Sequence, residues 1–236
     1  MIFLPHAFAL KCGYFASKSC NMARMKWKLA QYLESRWWRW YLGSKHPEEY
    51  YRWKFSYWHN FLKTIGNELS LSPDDQYLDL GCGPAGIFMV LPGHITAVDP
   101  LIEQYRNDFP FLFQHLTGKV QFYAAKAEDF RSDTLFDSVF CLNVINHVND
   151  IGHAMHNIHR LSKPGGTLVI SVDEHRWRIL YHLFKWLPLD VLHPYQLKRE
   201  DFEKLLISNG FEVKSDTVLK SGTIFRYRVW MAVRPE

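Results

Sequence analysis

Two hydrophobic periods divide the chain. Beyond a polar break at Ser70–Asp75, short apolar runs near 77–80, 94–98, 119–124, 136–142 and 166–172 read as strands, apolar enough for burial on both faces. Helical spacing falls between them, near 84–91, 101–109, 151–162 and 196–209. Pro164-Gly165-Gly166 closes one helix and opens the next strand, and the tail alternates around Ser221-Gly222 like a hairpin. Ahead of the break, Tyr50, Trp53/Lys54, Tyr57/Trp58 and Phe61 recur at helical spacing. Two helices parted near Gly43–Pro47 are expected there, with Glu48 and Glu49 complementing the start of the second. Strands alternating with helices predict an α/β fold.

The sharpest local signal is Tyr77–Gly86, YLDLGCGPAG. A buried strand ends on Asp79 and breaks into a turn carrying Gly81, Gly83 and Gly86, where the main chain can approach a ligand closely. The spacing also fits the dinucleotide fingerprint. Asp79 lies just before the turn, where a carboxylate attracts an ammonium group and repels a pyrophosphate. Asp99 ends the next apolar stretch, HITAVDP, in the place for an acid that accepts ribose hydroxyls, which would serve either ligand.

FDSVFCLNVINHVND (136–150) and RLSKPGGTLVIS (160–171) follow in order. Together with the glycine segment they resemble the motifs of class I S-adenosylmethionine-dependent methyltransferases. The branch most similar is the small-molecule one that includes the ubiquinone/menaquinone-biosynthesis enzymes. The resemblance covers roughly residues 71–236. It implies a Rossmann-like, doubly wound, seven-stranded mixed sheet with the last strand antiparallel and helices on both faces. It also implies S-adenosylmethionine as cofactor and methyl transfer to a small acceptor, most often at oxygen. Carried onto this chain, it makes Asp79 the ammonium ligand, and it brings Gly81, Cys82 and Gly83 to the amino-acid portion. Asp99 with Pro100 would take the ribose, and Asn143 would face the cofactor. The segment AKAEDF (125–130) resembles the adenine-contacting stretch, with Lys126 in the usual Asp place, so Ala127 and Glu128 stand as substitutes. A lysine cannot accept the adenine amino hydrogens.

For a general base, His147 and His193 are the candidates because histidine titrates near neutrality, with Tyr195 as a hydrogen-bonding assistant. The apolar segment 173–195 falls where open α/β sheets bind ligands and reads as a pocket wall or a packing insertion. His153, His156 and His159 drift around their helix without neighbouring acids, and no metal site is assigned. Lys126 and the lack of an evident acid–base pair keep open a non-catalytic interaction protein of the same fold, and an NAD-binding Rossmann enzyme is a further alternative.

Composition adds one asymmetry. Residues 1–63 hold eleven Lys/Arg against three acids, whereas the rest is mildly acidic. Six of the nine tryptophans lie between Trp27 and Trp58, inside this basic stretch. Three readings compete for 26–66: aromatic packing, a lid over the site, and peripheral membrane contact. No nucleic-acid-binding module is recognisable. Residues 1–25 read as a flexible arm or as sequence upstream of a true start at Met22 or Met25, 26–70 as a helical extension, and 71–236 as the methyltransferase domain. Four cysteines without paired spacing, and no apolar run long enough for a span, point to a reducing, cytoplasmic setting. Oligomeric state is not legible.

Overall fold

A computed structural model describes residues 28–66, 69–116, 119–175, 199–221 and 225–236. Its strands are β1 (Gln76–Leu80), β2 (His94–Val98), β3 (Val120–Tyr123), β4 (Phe136–Leu142), β5 (Ser162–His175), β6 (Glu212–Ser221) and β7 (Phe225–Val233). They form one sheet in the order β3-β2-β1-β4-β5-β7-β6. Pairing is parallel from β3 through β5, and β7 runs antiparallel to both of its neighbours. The mixed seven-stranded arrangement is the one the motifs imply.

Alternation sorts the side chains onto two cores, because successive residues of a strand face opposite sides. On one face Tyr77, Ala97, Phe140 and Val169 join residues of α2 (Pro47–Ile65) and α3 (Ile102–Asp108). On the other, Leu78, Val98, Val139 and Leu168 meet α4 (Ile151–Leu161) and α5 (Arg199–Ser208). Helix α4 starts on Asp150, whose Oδ1 accepts the His153 amide at 2.9 Å, and it buries Ala154, Met155, Ile158 and Leu161 at i, i+3, i+4 spacing.

Three boundaries depart from the pattern. The helix expected over 84–91 is a single 3-10 turn, Ile87–Met89, flanked by an extended Gly86. The Phe88 amide is drawn onto the Asp79 carboxylate, and Pro92-Gly93 precede β2, so the segment has no room to propagate a helix. β3 alternates half-buried and exposed positions instead of burying both faces, because it is an edge strand. β5 is longer than 166–172 at both ends, starting at Ser162 with a register shift opposite Phe136/Ser138.

The N-terminal helices dock by polar as well as apolar contacts. Helix α1 (28–43) lies against α3: the Tyr105 hydroxyl donates to Glu34 Oε1 at 3.0 Å. From α3, Gln104 Nε2 donates to Ser35 Oγ at 2.5 Å. In return Arg39 Nε of α1 donates to Asp108 Oδ2 at 2.7 Å. Helix α2 begins on Pro47 with Glu48 and Glu49 in its first turn, and it buries Tyr50, Trp58, Phe61 and Ile65. Its Trp58 indole donates to the Ala85 carbonyl at 2.9 Å, which fastens the helix over the glycine turn. No helix among the described residues is long and apolar enough to cross a membrane.

Candidate functional site

β1 pairs with β2 on one side and β4 on the other, so the chain leaves β1 at the point where strand order reverses. Open α/β sheets form their ligand crevice there, beyond the carboxyl ends of the strands. After Leu80 the chain folds back on β2: the Gly81 and Cys82 amides donate to the Val98 carbonyl at 2.7 and 3.1 Å. Gly81 and Gly83 take φ of +73° and +57°, values that favour glycine. The turn sets Gly83 opposite Asp99, whose Oδ2 accepts the Gly83 amide at 3.0 Å and whose Oδ1 accepts that of Leu101 at 2.8 Å. Pro100, half-buried between them, has no amide hydrogen to offer. A methyl group placed on Gly83 would meet nothing within 4 Å, so this side of the turn is open.

Asp79 and Asp99 are 2% and 6% exposed. Burial pushes the Asp79 carboxyl up to about 7, opposed by the amides of Phe88 and Ile87 and by the charge on Lys54. Burial and then the nearby Glu34 charge raise Asp99 to about 7, opposed by the amides of Leu101 and Gly83. Glu34 is itself raised by burial, against hydrogen bonds from Tyr105 and Trp38. Cys82, buried between the two aspartates, is held as a neutral thiol by desolvation and by both negative charges.

Lys54 reaches this corner from α2. Its ammonium lies 5.0 Å from the Trp58 ring, 5.1 Å from Tyr57 and 5.6 Å from Trp53. Desolvation in this cage lowers it to about 8, partly offset by attraction to Asp79. The corner therefore combines desolvated carboxylates, one caged cation and an open glycine turn.

A second group of polar side chains occupies the ends of β4, β5 and β7. Asn143 sits just after β4 at φ 60°, and its Nδ2 donates to Asp173 Oδ2 at 2.9 Å. Ser171 Oγ donates to the Tyr227 hydroxyl at 2.8 Å, and Tyr57 of α2 hydrogen-bonds to the same phenol. Burial holds Tyr227 well above the usual phenol range.

The other expected site residues are placed as follows. Ala127 and Glu128 are buried, but the Glu128 Oε1 accepts the Asn149 and Asp150 amides at 2.7 and 3.3 Å, clamping the loop before α4. The Ala127 carbonyl is taken by Asn157 Nδ2 at 2.7 Å. His147 is exposed on a turn closed by its own amide to the Val144 carbonyl at 2.8 Å. His193, Tyr195 and most of the expected pocket wall at 173–195 lie outside the described residues. His159 packs edge-on against Phe211 at 5.3 Å. The residues that sequence reasoning missed are Glu34, Lys54, Tyr57, Asp173 and Tyr227. Two had a signal: Glu34 is the first acid in the chain, and Lys54 is flanked by aromatics at positions −1, +3 and +4.

A sequence profile of the methyltransferase-domain family matches residues 50–216. The ubiquinone biosynthesis O-methyltransferase of Rickettsia akari is 26% identical over 151 residues, 59% of this chain and 59% of that protein. The chain thus spans about three fifths of the length of such curated relatives. Among solved structures, the 1,6-didemethyltoxoflavin N1-methyltransferase of Burkholderia thailandensis superposes with TM-score 0.56 at 18% identity, covering 100% of this chain and 92% of that one. The [4+2]-cyclase SpnF superposes with TM-score 0.58 at 16% identity, covering 75% and 80%. At these identities the likeness is one of fold. With the family profile matched over most of its length and this strand order, the chain belongs to the methyltransferase-domain family and has the Rossmann-like fold of class I S-adenosylmethionine-dependent methyltransferases.

Proposed function

We propose that this protein transfers a methyl group from S-adenosylmethionine to a small, apolar or ring-containing acceptor, at oxygen. The observation that carries the reading is the pair of buried carboxylates, Asp79 and Asp99, flanking an open glycine turn at the switch point of the sheet. The donor set fits this ligand. Asp79 and Asp99 would complement its ammonium and sulfonium charges, and Lys54 would complement its carboxylate. A pyrophosphate fits poorly. It would face two acids, and the segment after the turn supplies a three-residue 3-10 turn in place of a helix N-terminus.

When bound, S-adenosylmethionine supplies a methyl group on a good sulfur leaving group, so the chain's own task is orientation. Asp79 holds the ammonium group. Asp99 accepts the ribose hydroxyls on lone pairs left over from the Gly83 and Leu101 amides. Cys82 and Pro100 shape the walls beside them. Asn143, at its left-handed turn, borders the acceptor side together with Tyr57 and Tyr227. Oxygen methylation also needs the hydroxyl proton removed, and His147 is the described residue assigned to that role. Helix α2 closes the cofactor end from water through Trp58 and the Lys54 cage. Oxygen is favoured by the Rickettsia relative, which is named an O-methyltransferase. The toxoflavin enzyme, named for methylation at nitrogen, contributes only its fold.

Calorimetry with S-adenosylhomocysteine tests the reading, followed by methyl-release assays on acceptors identified by mass spectrometry of co-purified ligand. Correctly folded protein that ignores S-adenosylhomocysteine and saturates with NADH would overturn it. One observation supports a second reading, a non-catalytic member of the family. Lys126 stands at the adenine-contacting position, and Glu128 is committed to loop amides. Cofactor binding without transfer to any acceptor would favour that reading.

A further inference from the structure

Helix α1 has two unlike faces. Its inward face carries Glu34, Ser35 and Leu42 against the body of the protein. The opposite face presents Leu29, Tyr32, Leu33, Trp37 and Trp40 to solvent, from 42% exposed at Leu33 to 72% at Trp40. Positions 29, 33, 37 and 40 fall on one side at helical spacing. Packing explains Trp58 and Tyr50 but not these residues. Side chains of this size clustered in the open mark a contact surface.

Three observations indicate what lies on that surface. Arg36 is interleaved in the stripe, Lys28 is exposed at its start, and the single acid of the described helix, Glu34, is turned inward. The face is therefore cationic as well as apolar. Tryptophan and tyrosine mixed with arginine and leucine suit the boundary between lipid headgroups and acyl chains. Nucleic acid would use the charge but has no use for Leu29 and Leu33. The stripe also leads to the site by ring contacts. Trp37 stacks on Tyr41 at 5.0 Å, Tyr41 meets Tyr50 at 6.1 Å, Tyr50 meets Trp53 at 5.6 Å, and Trp53 meets Tyr57 at 6.0 Å.

We propose that the outward face of α1 seats the protein on an anionic lipid bilayer, which turns the α2 lid toward the headgroup layer. An apolar acceptor dissolved in the bilayer then reaches the site from that side. The seating itself does not depend on the methyl-transfer reading, whereas the route of the acceptor does.

The test uses the full chain and vesicles of phosphatidylcholine with or without phosphatidylglycerol. The expected result is sedimentation with the anionic vesicles, released as salt rises, with a blue shift of tryptophan fluorescence. Replacing Trp37 and Trp40 together by Ser should weaken partitioning by about tenfold or more. Arg36→Gln should weaken it about fivefold on anionic vesicles alone. Neither change touches the cofactor corner, so affinity for S-adenosylhomocysteine should hold, and this separates docking from the methyl-transfer reading. Failure to sediment at low salt would overturn the proposal, as would equal sedimentation of the double variant. Self-association without lipid that disappears in the double variant would assign the face to a second copy and likewise overturn it.

Discussion

Asp79 offers a proton count as a test of the site. In the ligand-free protein its carboxyl lies at about 7 because burial outweighs two backbone amides and the charge on Lys54. At about pH 6 such a group is roughly nine-tenths protonated. An ammonium seated against it stabilises the ionised form and draws the pKa down toward the ordinary range. Binding of S-adenosylhomocysteine at about pH 6 should therefore expel close to one proton. Below about pH 7 each further unit of acidification should cost ~1.4 kcal/mol of binding, or about tenfold in Kd, and above about pH 7.5 the dependence should fade. Asp99, also raised to about 7, adds in the same direction but by less, since ribose hydroxyls bring no charge. The sign for folding follows from the same shifts. An unfolded aspartate ionises near ~3.9, so between about pH 4 and pH 7 the native state holds more protons than the unfolded chain. The contribution of these two groups to stability is full below that window and falls as pH rises through about 7. Calorimetry in buffers of different ionisation enthalpy reads the released protons directly, and Asp79→Asn should remove most of them while weakening binding. Zero proton release together with a Kd that stays constant from about pH 5.5 to 7.5 in the parent protein would refute the reasoning.

The remaining predictions concern the walls of the corner. Lys54→Met removes the cation that lowers Asp79, so proton release should begin from a higher pH, and loss of a charged partner should weaken S-adenosylhomocysteine binding by ~1–3 kcal/mol. Titrations that match the parent in both respects would take Lys54 out of the site. In Gly86→Ala the new methyl would lie 2.3 Å from Asp79 Oδ2 and 2.5 Å from the Cys82 carbonyl. The carboxylate must then move, and both cofactor affinity and Tm should fall. Trp58→Phe deprives the buried Ala85 carbonyl of its donor, and urea denaturation should show a loss of ~1–3 kcal/mol, with looser cofactor binding as α2 loses its fastening.

Where sequence reading fell short, the reasons are physical. The apolar run IFMVL promised a helix, yet Ile87, Phe88 and Met89 are all buried and a side chain captures the Phe88 amide, which no periodicity reveals. Glu128 looked available for a ligand by motif, but its carboxylate is used on amides about twenty residues downstream. That partnership depends on how the loop after β3 meets the loop before α4, across strands that are not neighbours in the sheet. The aromatic stretch 26–66 was ambiguous because tryptophan serves packing, lids and lipid surfaces alike. Burial sets Trp58 inside, where it packs, and leaves Trp40 exposed.

The strands, their order along the chain and the acid–glycine turn were determined by sequence alone, because apolar period, turn chemistry and glycine placement are local properties. Asp79 and Asp99 were legible as candidate ligand residues for the same reason, since each lies at a strand end at a fixed offset from the turn, and the structure buries both. Tertiary structure alone decided that Lys54 and Glu34 join those acids, and that the two aspartates titrate near neutrality. Those outcomes depend on desolvation and on charges contributed by α1 and α2, which lie tens of residues away in the chain. Only packing brings them into electrostatic reach of the aspartates, where a low dielectric lets them act on one another.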